Sequence, residues 1–393
     1  MIFYAVLIAP LTALWLWLPL LRQHRHAYVW CALITALLTV APALLIYAMR
    51  STRIDFGLVS HLQLASGALL AAIGMGLLFA IVRDSIWLLL RALRGAAAAS
   101  ALWRPRWTEG FKLLAVLLNS YGLTQGLQPP QVREHTVTLQ RLPPALDGLR
   151  IGVLADIHAT PVNNAGYVQG LVGRLNAAQP DMVVLPGDLI DGDAPTQAGN
   201  IAPLAGLQAP LGVWSAPGNH EYYSGYDAWA KVFRSLNLNY LANEARVLPV
   251  RGHQLAISGV GDPAYGRLSE QNTDPAVPEG VPPDVQAVAQ QAQAGGAELH
   301  ILLGHQPKMA RSYAPHGIDL QIAGHTHGGH IVGMDRWIVA PANDGFVRDL
   351  YDVGSMRLFV SSGAGLWPGF AVRLGIPPAI DVLVLRSPQA QPS

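Results

Sequence analysis

Three long apolar runs open the chain, Phe3 to Leu21, Tyr28 to Met49 and Leu62 to Val82. Each reaches the length of about 20 residues that a helix needs to cross the hydrocarbon core of a bilayer, so three transmembrane helices are expected. The first run is not expected to be a cleaved signal peptide: it has no basic start and no small-residue cleavage site, and another span follows at once. A fourth run, Phe111 to Leu127, is interrupted by Asn119, Ser120 and Gln125. It is expected to cross as well, the alternative being an interfacial or packed helix.

After this half the period changes. Pro129-Pro130 and Pro143-Pro144 punctuate the chain, and short apolar runs then alternate with turns. Leu149 to Ala155, Met182 to Pro186, Val213 to Ala216, Leu255 to Val260, His300 to Leu303, Leu320 to Ala323, Leu358 to Ser361 and Ile380 to Leu385 read as buried strands. Tyr167 to Ala178, Thr196 to Leu207, Tyr226 to Leu236 and Asp284 to Ala294 read as amphipathic helices. The pattern predicts an α/β domain with helices covering sheet faces. Asp262 to Pro283, rich in Pro and Gly, is expected to be a long loop. The expected organisation is a membrane anchor of three to four helices over 1–128, a linker over 129–147, an α/β domain over 148–386 and a disordered tail over 387–393.

Composition sharpens this division. Hydrophobic residues make up 51% of the chain and charged residues 13%, against about 25% charged in ordinary soluble proteins. Residues 1–149 hold 12 Lys+Arg and 5 Asp+Glu, a net +7, and residues 150–393 hold 14 and 20, a net −6; these add to the 26 and 25 of the whole chain. An acidic second half argues against a nucleic-acid partner, whose phosphates demand a basic face. The single cysteine, Cys31, excludes an intramolecular disulfide and a thiolate metal cluster. No ionisable residue sits in the middle of an expected span to suggest an ion path. Trp15, Trp17, Trp30 and Trp87 read as interfacial anchors or lipid-facing bulk.

Lys and Arg in short loops stay on the cytoplasmic side. The first loop has Arg22 and Arg25, the second Arg50 and Arg53, and the third Arg83, Arg91, Arg94, Arg104, Arg106 and Lys112 at its edge. Loops one and three are therefore expected inside. With four spans the α/β domain faces the periplasm or the extracellular space; with three, the side inverts.

The chemistry lies just after the strands, where ligands collect in open α/β folds. Asp156-Ile157-His158 offers two ligands that strand alternation would point to one side. Gly187-Asp188 offers a carboxylate with two oxygens able to bridge two cations. Gly218-Asn219-His220-Glu221 adds a neutral carbonyl oxygen and an imidazole, and Gly304-His305 and Gly324-His325-Thr326-His327-Gly328-Gly329 add three more imidazoles. Mixed imidazole and carboxylate sets suit hard-to-borderline divalent ions such as Mn, Zn or Fe. Two such ions about 3.5 to 4 Å apart lower the pKa of a shared water, orient a phosphoryl oxygen and stabilise in-line displacement. His220 is not needed to complete either ligand set, so it is free to contact the phosphoryl group or protonate the leaving oxygen. Asp191 is placed to orient its ring. His330 either lines the site or is a solvated turn residue. His253, His300 and His316 read as surface or strand-end residues, and Tyr222 and Tyr223 as packing against the domain, the alternative being stacking on the substrate.

These five blocks, in this order, resemble the calcineurin-like metallophosphoesterase superfamily over about residues 148 to 385. The runs GNHEYYSG (Gly218 to Gly225) and GHTHGG (Gly324 to Gly329) resemble in particular its membrane-anchored bacterial branch, which includes UDP-2,3-diacylglucosamine hydrolase-like and cell-wall-associated phosphoesterases. The resemblance implies a four-layer α/β/β/α sandwich with a dinuclear centre. It implies that Asp156, His158, Asp188 and His327 hold one metal, that Asp188, Asn219, His305 and His325 hold the other, and that His220 with Asp191 forms an acid dyad. Two features depart from the branch: His330 stands where Gln usually follows the GHTHGG turn, and the 262–283 loop is longer.

The expectation is a membrane-anchored, metal-dependent phosphohydrolase of phosphodiester or pyrophosphate bonds, acting on a lipid-linked or envelope substrate. The rival from another class is a non-catalytic sensor or scaffold that keeps the fold, and the intact ligand set counts against it. A transporter with a regulatory domain is disfavoured by the few spans and their lack of charge.

Overall fold

The computed structural model describes residues 4–21, 26–49, 55–266 and 279–388. It divides into two units, Met1–Leu127 with Pro368–Leu374, and Gln128–Trp367 with Gly375–Ser393.

The first unit is helical. A continuous stretch runs from Tyr4 through α1 (Ala9–Leu21). It is followed by α2 (His26–Leu38), α3 (Ala41–Met49), α4 (Phe56–Arg94), α5 (Ala96–Ser100) and α6 (Pro105–Gly126). Among the described residues three stretches are long and apolar enough to cross a membrane: Tyr4–Leu21, His26–Leu45 and Phe56–Arg94. The third has 39 residues, about 58 Å of helix at 1.5 Å per residue, and so runs well past the expected Leu62 to Val82. Asp55 caps its start, its Oδ1 accepting from the Leu58 N–H at 2.8 Å, and Arg91 and Arg94 occupy its last turn. Trp15, read as an interfacial anchor or lipid-facing bulk, donates from Nε1 to Asp84 Oδ2 at 2.8 Å, and the Lys112 ammonium lies 3.2 Å from the centre of the Trp17 ring. Arg22, Arg25, Arg50 and Arg53 of the topology count lie outside the described residues.

A short segment from far along the chain completes this unit. A Cβ on Gly67 of α4 would stand 2.3 Å from the Pro368 carbonyl oxygen, and one on Gly122 of α6 would stand 2.5 Å from Val372 Cγ1. Only glycine lets Pro368–Leu374 lie against the helices so closely, and the Arg373 N–H donates to the Gly122 carbonyl at 3.0 Å.

The second unit is built on two six-stranded mixed sheets. The first orders β1 (Gln131–Thr138), β12 (Ala379–Arg386), β2 (Arg150–Val153), β3 (Met182–Leu185), β4 (Val213–Ser215) and β5 (Asn239–Tyr240). The second orders β10 (Asp349–Val353), β11 (Met356–Val360), β9 (Leu320–Ala323), β8 (Leu299–Leu303), β7 (His253–Gly259) and β6 (Glu244–Val250). Strands β2 to β5 run parallel, as do β7, β8, β9 and β11. Met182–Leu185 is buried at every position, as expected of a parallel strand covered on both faces. Ile151, Val153, Leu255, Ile257, Ile301 and Ile322 fill the space between the sheets. On the outer face of the first sheet, α7 (Ala165–Ala177), α8 (Ala194–Ile201) and α10 (Tyr226–Ser235) bury Leu171, Leu175, Ile201, Trp229 and Phe233. Helix Val285–Ala294 and Tyr313 cover the other sheet through Val288 and Ala292. This is the four-layer α/β/β/α sandwich.

Some boundaries differ from expectation. The stretch 129–147, read as a linker from its prolines, contains β1, which pairs with β12 along its whole length from Gln131 opposite Ala379 to Thr138 opposite Arg386. Its inward residue Val137 is buried, but its polar alternation hid the strand. The short or half-polar strands β5, β6 and β10 were hidden for the same reason. The helix expected over Thr196 to Leu207 ends at Ile201 and continues as a 3₁₀ turn, Ala202–Gly206, because Pro203 has no N–H to continue the α ladder. Ser387, expected to start the disordered tail, is buried and donates its N–H to Asp147 Oδ1 at 2.8 Å. Residues 389–393 of that tail and 267–278 of the expected long loop lie outside the described residues.

Candidate metal centre

Five loops, after β2, β3, β4, β8 and β9, carry the candidate ligands. Sheet order makes β2, β3 and β4 neighbours, and likewise β8 and β9, so loops far apart in sequence converge at strand ends. Asp156, His158, Asp188, His325 and His327 all adopt left-handed backbone, with φ of 52, 45, 52, 73 and 50°. Such conformations cost about 1 to 3 kcal/mol each in non-glycine residues and persist at functional sites where the surroundings over-determine them. Asp156 and His158 therefore reach a common side through tight turns beyond the end of β2, not through strand alternation. Glycine is required at two contacts: a Cβ on Gly218 would stand 2.3 Å from Asp188 Oδ1, and one on Gly324 would stand 2.4 Å from Asp156 Oδ2.

The ligand atoms fall into adjoining groups. Asp156, His158 and His327 form one, Asp188, His305 and His325 another, and His158, Asp191 and His220 lie close enough together to form a third. The Nε2 atoms of His158 and His327 are 3.1 Å apart, and His305 Nε2 is 3.1 Å from Asp188 Oδ2. Asp188 Oδ2 is also 4.0 Å from His158 Nε2, so this carboxylate faces the first two groups. Asn219 begins the short helix α9 (Asn219–Tyr223), directly after the glycine that abuts Asp188. All seven expected ligands thus lie within one cluster of loops.

The surrounding contacts orient these side chains. The His305 ring bonds through Nδ1 to the Pro186 carbonyl at 2.8 Å, which turns Nε2 inward. Asp191 bonds to His220 Nδ1 and also lies 3.2 Å from His158 Nδ1, so it holds two rings, where only one was expected. His220 Nε2 stands 3.9 Å from Asp188 Oδ2. Glu221 received no role from the sequence. Its buried carboxylate accepts from the backbone N–H groups of Gly218, Asp188 and Leu189 at 2.7, 3.1 and 2.8 Å and so clamps two ligand loops together. Asn163 does the same for the loop after β2, donating from Nδ2 to the carbonyls of Ile157, His158 and Leu366. An acidic residue directly after a ligand motif was the available signal for Glu221; Asn163 left none.

His330 is 6% exposed with its ring 5.0 Å from that of His327, so it lines the site. Tyr223 is 42% exposed and meets the His220 ring edge-on at 5.5 Å, contrary to the expectation that it packs into the domain. Tyr222 does pack, donating to the Val281 carbonyl at 2.6 Å and accepting from the Asp262 N–H. His300, read as a surface or strand-end residue, is buried in β8 with Nε2 2.7 Å from Ser258 Oγ. His253 lies at the surface beside Glu298, and His316 sits in a 3₁₀ turn.

The electrostatics favour cations. Burial works against charge on His305, but Asp188 and Asp156 outweigh it and raise the imidazole to about 10; Asp191 and Asp188 likewise outweigh burial and raise His220 to about 9. Burial alone would push Asp191 up, yet His220 and His158 bring it down to about 2. Clustered carboxylates thus hold positive charge where imidazole Nε2 atoms converge. Asp156 Oδ2 and Asn219 Oδ1 are buried acceptors without hydrogen-bond partners, a costly arrangement unless something else binds them. Imidazole, carboxylate and amide oxygen together fit a pair of divalent ions.

Comparison of the sequence with known families and relatives agrees with this chemistry. The sequence profile of the calcineurin-like phosphoesterases matches residues 149–329. An uncharacterized metallophosphoesterase of Campylobacter jejuni is 32% identical over 277 residues, 70% of this chain and 68% of its own. A Bos taurus protein named transmembrane protein with metallophosphoesterase domain is 32% identical over 316 residues, 76% of this chain and 67% of its own. Among solved structures, a sulfate thiohydrolase of Thermus thermophilus aligns with a TM-score of 0.40 at 15% identity, covering 62% of this chain and 57% of that one.

Proposed function

Because the chain belongs to the calcineurin-like phosphoesterase family, we propose that it is a membrane-anchored hydrolase using two divalent cations to cleave phosphodiester or pyrophosphate bonds in lipid-linked or envelope molecules. The observation that carries this reading is Asp188, which faces both ligand groups at once. In this assignment Asp156, His158, Asp188 and His327 hold one ion, and Asp188, Asn219, His305 and His325 the other. When bound, the ions supply Lewis acidity at the phosphoryl oxygens and activation of water. The remaining chemistry belongs to the chain. His220 Nε2 points towards the same space as the Asp188 carboxylate, while its Nδ1 is held by Asp191. It enters the reaction protonated and gives its proton to the leaving oxygen. Neither His220 nor Asp191 is called on to hold an ion.

A lipid-linked substrate, an amphiphile of the kind that UDP-2,3-diacylglucosamine represents, gives the helical unit a purpose beyond tethering. We place the catalytic unit outside the cytoplasm. That side requires α6 to cross the membrane as a fourth span, although it is not among the three stretches apolar enough by composition; what supports the crossing is the exposed apolar surface that Leu113, Leu114, Val116, Leu117 and Tyr121 offer to lipid. A reporter fused after Ser393 tests the side. Alkaline phosphatase activity without green fluorescence supports export; fluorescence without phosphatase activity refutes it.

The reaction class is tested by incubating detergent-solubilised protein with Mn or Zn and a panel of mono-, di- and pyrophosphate esters. Metal-dependent turnover of a diester or pyrophosphate is expected. Absence of hydrolysis across the panel would favour a sensor or scaffold.

A further inference from the structure

Large apolar side chains that remain exposed in the second unit are concentrated beside the metal centre. Among its described residues, those more than a third exposed are Tyr223, Val332, Trp337 and Ile338, at 42, 64, 76 and 62%. Tyr223 follows the Asn219-His220 turn, and the other three lie on the loop directly after His330. Exposed apolar side chains gathered on one loop in this way mark an interaction site. Trp337 is flanked by the exposed Arg336, the pairing of amphipathic ring and cation found where protein meets lipid headgroups.

This loop is fastened to the histidine turn. Asp335 Oδ1 accepts from the Gly333 and Arg336 N–H groups at 2.7 and 2.8 Å, and Asp335 Oδ2 pairs with Arg348 Nη1 at 2.7 Å. The same Arg348 nitrogen donates to the Gly328 carbonyl at 2.8 Å. Gly329 leaves no room between turn and loop, since a Cβ there would stand 2.4 Å from Asp335 Cβ.

The chain's own path identifies the occupant of this surface. Ile331, at the start of the loop, pairs with Gly375. Gly375 follows Leu374, the last residue of the segment that belongs with the apolar helices of the first unit. The exposed loop is thus hydrogen-bonded one residue from chain held among helices fit to cross a bilayer.

We propose that Val332, Trp337 and Ile338 enter the headgroup boundary of the bilayer and hold the metal centre at its surface, so that the substrate is a phosphoester whose apolar tail stays in the membrane. This rests on the hydrolase reading above and narrows its substrate to membrane-resident amphiphiles.

Two measurements on the full chain test it. With Cys31→Ala removing the native thiol, Trp337→Cys is labelled with an environment-sensitive fluorophore and reconstituted into phosphatidylcholine vesicles with acyl chains brominated near the headgroup. The label is expected to lose about half its emission or more relative to unbrominated vesicles. No quenching overturns the proposal, including the case where the label is shielded by a second copy or another protein. In parallel, the double variant Trp337→Gln, Ile338→Gln is assayed with Mn on a diacylglycerol nitrophenyl phosphodiester in vesicles and on water-soluble bis(4-nitrophenyl) phosphate. A loss of about tenfold or more on the first with less than about twofold on the second is expected; equal effects on both substrates overturn it. If wild-type protein cleaves neither ester, the hydrolase reading fails and the quenching result alone decides the docking surface.

Discussion

The Glu221 carboxylate accepts a hydrogen bond from the backbone N–H of Asp188 at 3.1 Å, across 33 residues of chain. The same group binds the N–H of Leu189 and of Gly218, so one buried side chain sets the distance between the loops after β3 and β4. Glu221→Ala would leave three buried donors unsatisfied and is expected to destabilise the protein by on the order of 3 kcal/mol and to weaken metal binding. Glu221→Gln, which keeps one acceptor oxygen, should fall in between. Thermal unfolding and a metal titration of the three proteins check this; equal metal affinity in Ala and wild type would show that the clamp is irrelevant to the site.

Asp188 is proposed as the shared ligand. Its substitution by Asn replaces one anionic oxygen with an amide nitrogen that cannot coordinate, and should strip most bound metal and nearly all activity. Elemental analysis of the purified variant decides the matter: two metals per chain with wild-type turnover would refute the assignment.

His220 and Asp191 should separate cleanly. His220→Asn is expected to lower kcat by about 10² to 10⁴ with metal content intact, as for loss of a general acid. Asp191→Asn should add a second defect, because Asp191 also lies beside His158 Nδ1. Metal affinity should drop by about 10- to 100-fold, the range for groups that orient ligands. Equal metal affinity in the two variants would mean that the His158 contact carries nothing.

The buried imidazole of His300 gives the fold a pH dependence distinct from the site. Burial outweighs the opposing pull of Asp319 and lowers its pKa from 6.5 to about 4. As pH falls below 6.5, the unfolded chain gains a proton that the folded chain refuses until about pH 4. The stability tied to His300 is therefore complete above 6.5 and lost by 4, at most about 3 kcal/mol. His300→Gln should flatten the fall in melting temperature across that window relative to wild type. Parallel curves for the two proteins would contradict it.

How much of this was legible in the linear order of residues varies from element to element. The metal-ligand motifs stood out because each is a short run of chemically unusual residues placed after an apolar strand, and both facts are local. Parallel strands such as Met182–Leu185 were legible because burial on both faces leaves an uninterrupted apolar run. Strand β1 was not, since Gln131–Thr138 alternates polar residues and is a strand through its partner β12, which begins 248 residues later at Ala379.

The amino-acid sequence by itself determined the ingredients: apolar spans, an α/β alternation, and the carboxylate, imidazole and amide donors at strand ends. Side-chain chemistry and hydrophobic period are properties of neighbours along the chain. Tertiary structure alone decided their arrangement. It set His158 and His327, 169 residues apart, with Nε2 atoms at 3.1 Å; it gave Asp191 two imidazoles to hold; and it left Trp337 exposed on a loop bound to the histidine turn. Each of these depends on sheet order and on backbone turns held in left-handed conformations, and those are enforced only once distant strands have paired.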